Sequence, residues 1–107
     1  MDPYTIHLVR TKPNETVKFF KYGAPDGEHI LSNIDTWAKQ QPGCIMHRAI
    51  PSGPTNPNTT TEVFEFDTTE NAQAFEIATT TNSDWQIRAE YDKQNAITNH
   101  WEVAATY

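Results

Sequence analysis

Three of the four histidines in this 107-residue chain lie in segments where apolar and polar residues alternate. Two glutamates fall on the same predicted face as these histidines when each segment is divided into its two alternating sets. A sheet would therefore present five groups on one face: His7, His47, Glu65, His100 and Glu102. Imidazole and carboxylate groups can act as general bases and can bind zinc. Since neither the HxH nor the HExxH spacing occurs, we predict no metal and no cofactor. We interpret the five residues as paired groups at a dimer face, with His7 and His47 as catalytic candidates in the alternative.

A second set of large side chains is predicted on the opposite face and on the helix beside it: Trp37, Met46, Phe64, Phe66, Phe75 and Trp101. Residues of this kind around a closed space would bind a small, largely apolar ligand, although the same spacing also suits a plain core. Arg48 falls on this face near the end of its strand, where it could bind a carboxylate or extend into solvent. We predict these seven residues as the ligand-binding set.

The elements that would position both sets follow from periodicity. Alternation predicts strands over 4–11, 44–50, 61–67 and 100–107, and helical spacing predicts helices from about 27 to 40, after 67 and from 83. Asp26, Asp67 and Ser83 are the predicted helix caps. Residues 17–22 are left open as an extra strand. The order βαββαβ predicts a ferredoxin-like α+β fold, with an antiparallel sheet ordered 4-1-3-2 and helices on one face.

Two stretches carry a family resemblance. "QPGCIMHR", from Gln41 to Arg48, ends a helix in Pro-Gly before a strand, and "EVFEFDTTENAQAF", from Glu62 to Phe75, joins a strand to a helix through an acidic cap. With this element order, the chain resembles the dimeric α+β barrel superfamily that includes the antibiotic biosynthesis monooxygenases. The resemblance implies a homodimer formed by two sheets packed face to face, with a ligand cavity between sheet and helices in each protomer. Monooxygenase members commonly carry Trp at the position of Phe66 and a His late in the following helix, and this chain has neither.

Composition limits the partners. Acidic residues outnumber basic ones by 14 to 8, giving a formal net charge of −6, and no basic cluster offsets it. Such a surface repels phosphate groups, so we predict neither nucleic acid nor membrane as a partner. The length predicts a single domain over residues 1–107. One cysteine and no apolar leader segment predict a cytoplasmic protein.

Three functions remain open from the sequence. The leading hypothesis is a small homodimeric protein that binds a largely apolar small molecule between sheet and helices. The second is a cofactor-independent monooxygenase or isomerase, and the third is a structural or assembly protein without a ligand. Whether the chain is an enzyme is therefore left undecided by its residues.

Overall fold

The computed structural model describes residues 4–104. Its elements in chain order are β1 (Tyr4–Thr11), α1 (Phe20–Gly23), α2 (Gly27–Lys39), β2 (Cys44–Ile50), β3 (Thr59–Phe66), α3 (Thr69–Thr79), α4 (Ser83–Gln94) and β4 (Thr98–Val103). The strands form one antiparallel sheet in the order β2-β3-β1-β4, and the helices pack on one side of it. The ferredoxin-like α+β fold and the predicted strand order are confirmed. We call the helix side of the sheet the covered face and the other side the open face.

Three predicted strands differ from the structure, and the one predicted over 61–67 spans Thr59–Phe66. The extra strand at 17–22 is wrong, because Phe20 begins the short helix α1. Phe19 and Phe20 are both buried, which neighbours in a strand cannot achieve on one face of a sheet. The last strand begins two residues earlier than predicted, at Thr98, and ends at Val103. The rest of that prediction, residues 105–107, lies outside the described residues.

The helices begin close to the predicted residues but with different caps. Asp26 precedes α2 in a left-handed conformation with φ of 60°, and its side chain makes no capping bond. The cap of α3 is Thr68 rather than Asp67, and the cap of α4 is Asn82 rather than Ser83. Both of these side chains accept a hydrogen bond from the backbone N–H three residues on. The predicted caps were wrong by one residue each, because several capping residues stand together at both helix starts.

Strand β2 changes face at a β-bulge. The ladder between β2 and β3 passes over Ile45, which has no partner on β3. One extra residue reverses the side-chain alternation for the rest of the strand. Cys44 therefore keeps the predicted covered face, whereas His47 also turns toward the helices, and Met46 and Arg48 turn to the open face. The faces predicted for these three later residues were wrong, since strict alternation cannot anticipate a bulge.

The core on the covered face is built around six rings, which we call the aromatic cluster. Phe75 of α3 lies at its centre, with ring centroids 4.8 Å from Phe64 and 5.1 Å from Phe66. The remaining members come from α2, α4 and β4, namely Trp37, Trp85 and Trp101. Ile6 and Leu8 of β1 complete the buried layer. This packing fixes β3 against α3 and α4, and so fixes the site described next.

Candidate functional site

A cleft of about 640 Å³ opens beside the aromatic cluster, between the β2–β3 edge of the sheet and the segment from Phe19 through α2. Its walls include apolar and aromatic groups: Phe19, Tyr22, Leu31, Ile50 and Pro51. Charged and polar groups from five different elements also line it: Arg10, Asp35, His47, Glu62 and Arg88. The cleft thus combines apolar walls with a small number of convergent polar groups, which is typical of small-molecule sites.

His47 is held on three sides. Its ring stacks on Phe64, with centroids 4.4 Å apart and planes 9° from parallel. Its Nδ1 lies 2.8 Å from Asp35 Oδ1 and its Nε2 lies 3.0 Å from Glu62 Oε1. Because a carboxylate oxygen only accepts, both contacts are hydrogen bonds at once when both ring nitrogens carry protons. Because the ladder passes over Ile45, His47 pairs with Phe64 and lies on the side of the sheet that faces the helices.

Glu62 and Arg88 form a buried ion pair next to His47. Glu62 Oε2 lies 2.8 Å from Arg88 Nη1, and the Arg88 guanidinium sits 4.5 Å from the centre of the Trp85 ring. Burial alone would raise the pKa of Glu62, but the Arg88 charge and the His47 hydrogen bond outweigh it and lower that pKa to about 2. Burial acts the other way on Arg88 and lowers the pKa of its guanidinium. Glu62 is therefore an anion at every pH at which proteins normally work.

Two further ion pairs continue from this centre. Arg10 donates from Nε and Nη2 to both oxygens of Asp92, at 2.9 and 2.6 Å, and Asn99 donates to the same carboxylate at 2.9 Å. At the other end Lys39 Nζ lies 3.0 Å from Asp35 Oδ2. Burial would raise the pKa of Asp35, but its bonds with Lys39 and His47 lower it on balance. We call these residues the charged network: Arg10, Asp35, Lys39, His47, Glu62, Arg88 and Asp92.

The chemistry available to this arrangement is binding and proton transfer. His47 carries exchangeable protons and lines the cleft, whereas Glu62, with its low pKa, is a weak base and serves to orient the ring. No three His, Cys, Asp or Glu side chains between residues 4 and 104 are arranged to hold a metal ion. His47, with a carboxylate on each ring nitrogen, is the side chain of the cleft that is arranged for proton transfer.

The residues predicted as ligand-binding are divided by the structure. Trp37, Phe64, Phe66, Phe75 and Trp101 come together as predicted, but they pack against one another in the aromatic cluster. None of the five lines the cleft. The other two members, Met46 and Arg48, are on the open face because of the bulge, and Arg48 also borders the cleft from the sheet edge. Their predicted role as a ligand-binding set stays a prediction, and the space itself lies beside the rings.

Four of the five residues predicted for the dimer face are on the open face. His7 and Glu102 stand opposite each other on β1 and β4, and with Glu65 they line a shallow groove of about 540 Å³. His100 Nε2 lies 3.4 Å from Glu102 Oε1 at a well exposed position. His47 is the exception, because it lies under the helices. Of the two catalytic candidates, His7 therefore faces the open groove and His47 faces the cleft.

Sequence reasoning missed most of the charged network, although a signal was present. Arg10 and Glu62 continue the even-numbered parity of the buried residues in β1 and β3. On α4, Arg88 and Asp92 follow Trp85 at helical spacing, and all three are buried. Extending each apolar face to its next charged residue would have found these four groups.

No protein-family model and no curated protein sequence matches this chain. Solved structures do. SnoaB of Streptomyces nogalater, a cofactor-independent oxygenase, superposes with a TM-score of 0.61 at 12% identity over 100% of this chain and 95% of that one. This chain has the same fold. A Deinococcus radiodurans protein, provisionally named an antibiotic biosynthesis monooxygenase, gives 0.62 at 12% identity over 95% and 90% of the two chains.

A dimeric ferredoxin-like protein from an uncultured marine organism also shares the fold, with a TM-score of 0.55 at 17% identity over 100% of this chain and 91% of that one. These matches confirm the resemblance predicted from the sequence. At such identities the resemblance concerns the fold, and the activity of each neighbour remains its own. Among the described residues, no helix has the length and apolar character needed to cross a bilayer.

Proposed function

We propose that this protein binds a small, largely apolar molecule in the cleft between the sheet and helix α2. The observation that carries the proposal is the cleft itself, an open space of about 640 Å³ with apolar walls and a few buried polar groups. The neighbouring aromatic cluster supports it, because closely packed rings hold the cleft walls rigid without filling the cleft.

A cleft-filling substitution tests this proposal. Ser32 lies on the solvent-exposed surface of α2 and lines the cleft, so Ser32→Trp should fill the space without disturbing the core. Asn33→Trp places the same ring on the next residue, which is exposed but outside the cleft. Ligand-observed NMR with a set of small aromatic compounds should show binding to the wild type and to Asn33→Trp, and none to Ser32→Trp. Equal binding by all three chains would contradict the proposed site, and the absence of any bound compound would favour the assembly protein.

We also propose that the protein is a homodimer formed through the open face. Val9, Val63 and Met46 give that face an apolar centre, and His7, Glu65 and Glu102 surround it with paired polar groups. Sedimentation should give a dimer for the wild type and a monomer for Val9→Glu, which places a charge at that centre. Ile77→Glu is the matched control, because Ile77 is 71% exposed on the outer helix α3. A monomeric wild type would refute the dimer.

Catalysis is the second candidate function, favoured by the placement of His47 at the cleft with a carboxylate on each ring nitrogen. Such a ring can give a proton to a bound substrate and recover one, as a cofactor-independent oxygenase or isomerase requires. Turnover of quinols under oxygen is the assay. His47→Gln should abolish turnover and His7→Gln should leave it unchanged, and activity that survives His47→Gln would exclude this mechanism.

A further inference from the structure

The charge balance of the cleft is opposite to that of the whole chain. Half of the eight basic residues line the cleft, but only three of the fourteen acidic ones do. The basic residues are Arg10, Lys21, Arg48 and Arg88, and the acidic ones are Glu28, Asp35 and Glu62. The lining of the cleft therefore has one more basic than acidic residue, in a chain whose formal charge is −6.

The pairing of these charges leaves a positive surplus. Within the network, Asp92 neutralises Arg10 and Glu62 neutralises Arg88. Asp35 pairs with Lys39, so the three carboxylates of the network balance its two guanidinium groups and its ammonium group. At the rim, Lys21 and Arg48 oppose a single carboxylate, that of Glu28. The positive surplus that favours an anion therefore lies at the rim of the cleft.

One buried donor also lacks an acceptor. Arg88 is 2% exposed, and its Nη2 has no hydrogen-bond partner within the described residues. Glu62 Oε2 makes the 2.8 Å ion-pair contact with Nη1 but no well-aligned hydrogen bond. An unsatisfied charged donor is costly when buried, and a guanidinium nitrogen can only donate. Because Arg88 lines the cleft, the guanidinium that carries this unsatisfied donor borders any molecule bound there.

We propose that the cleft is selective for apolar molecules that carry a carboxylate, with Lys21 and Arg48 attracting the anion and Arg88 bordering it. The apolar walls, with Phe19, Leu31 and Pro51, would hold the body of the molecule. This inference rests on the proposed function, since it assigns the chemical class of the ligand to the same cleft.

The test is a matched pair of probes, 2-naphthoate and the neutral, nearly isosteric 2-naphthamide, titrated by calorimetry into the wild-type protein. We expect naphthoate to bind at least about tenfold more tightly than naphthamide, and the difference to shrink in high salt. The double variant Lys21→Gln/Arg48→Gln should weaken naphthoate several-fold and leave naphthamide unchanged. Lys93→Gln, which removes an exposed positive charge away from the cleft, is the control and should change neither.

The outcomes separate this inference from the proposed function. Equal affinity for the two probes, both abolished by Ser32→Trp, would overturn the carboxylate selectivity and leave the apolar site standing. Binding of neither probe would overturn both. Because Lys21 and Arg48 are exposed, their substitution avoids the risk of unfolding that a change at Arg88 carries. Arg48 also borders the proposed dimer face, so sedimentation of the double variant should give the same oligomeric state as the wild type.

Discussion

The layer between sheet and helices has two unlike ends. At one end the aromatic cluster packs rings whose centroids are 4.8 to 6.3 Å apart. At the other end the charged network buries Arg10, Arg88 and Asp92, each no more than 5% exposed. The two ends meet at Phe64, which stacks on His47, and at Trp85, which lies under Arg88. The aromatic end therefore serves as the platform on which the charged end is built.

This difference separates stability from function. Apolar area stabilises a fold wherever it is buried, whereas a buried ion pair contributes little more than apolar residues of the same size would. A chain that keeps two buried ion pairs beside an open cleft is therefore expected to use them for something other than stability. We infer that the aromatic end holds the fold and that the charged end determines what the cleft accepts.

The largest expected effect comes from removing one partner of the Arg10–Asp92 pair. Asp92→Ala leaves Arg10 buried without its carboxylate, and we expect the free energy of unfolding to fall by about 3–5 kcal/mol. Denaturation in urea, with the midpoint and slope compared to wild type, measures it. The double variant Arg10→Met/Asp92→Leu should recover most of that loss, because it removes both charges and keeps the volume.

The aromatic end supplies the contrast for that experiment. Phe75→Ala should cost a similar amount, about 3–5 kcal/mol, because it opens a cavity at the centre of the cluster. No partner substitution should rescue it except a larger apolar residue that refills the space. If Arg10→Met/Asp92→Leu proved as unstable as Asp92→Ala, the network would contribute directly to stability, and the separation drawn above would be wrong.

The aromatic end was also the predictable end. Alternation in β1 and β3 identified Ile6, Leu8, Phe64 and Phe66, and helical spacing added Phe75, because apolar periodicity reports burial directly. Apart from His47, the charged end was not predicted. The spacing of its residues indicates burial, but which charges pair depends on contacts between different elements. Arg10 and Asp92 are 82 residues apart in the chain, so no local rule could pair them.

The next largest expected effect is a pH dependence of the free energy of unfolding that arises from the charged network. The pKa of Glu62 is lowered from 4.5 to about 2 by Arg88 and His47 against the effect of burial. As the pH falls, the unfolded chain takes up the proton first, so this stabilisation is complete above about pH 4.5 and is lost as the pH falls toward 2. The difference in free energy of unfolding between wild type and Glu62→Gln should decrease by on the order of 3 kcal/mol as the pH is lowered from neutral.

Glu65→Gln is the matched control for that titration. Glu65 lies on the same strand but on the open face, away from the network, so its substitution should leave the shape of the stability profile unchanged. Phe75→Ala should lower the free energy of unfolding by an amount that does not change with pH across the acid range. A Glu62→Gln profile parallel to wild type would contradict the charge arrangement proposed for His47 and Arg88.

A smaller effect should reach both ends at once through helix α4, which carries Trp85 for the cluster and Arg88 for the network. Asn82 caps this helix by accepting from the Trp85 backbone N–H at 2.8 Å. Asn82→Ala should therefore cost about 1 kcal/mol, and Asn82→Asp should restore it. The midpoint of unfolding, followed by tryptophan fluorescence, and the ligand affinity of the cleft should both decrease. A change in one without the other would show that the two ends are positioned independently.

The smallest expected effect comes from deleting Ile45, the residue that the β2 ladder passes over. Without it, Cys44 would be bonded directly to Met46, and both residues would keep their present partners on β3. His47 would keep its place above Phe64, because removing Ile45 turns the bulge into regular alternation and leaves the β3 partners of Met46 and His47 unchanged. Since Ile45 is 54% exposed, we expect a loss of only about 1 kcal/mol and unchanged ligand binding.

Deletion of Ala49 is the matched comparison for deletion of Ile45. Ala49 has a partner on β3, so its removal must shift either Arg48 or Ile50 to the other face of the sheet. We expect it to weaken the protein and the cleft together, while the Ile45 deletion leaves both near wild type. If the Ile45 deletion instead displaced His47 from Asp35 and Glu62, seen as loss of the Glu62-dependent pH profile, then the twist of the bulge itself would be what positions the ring.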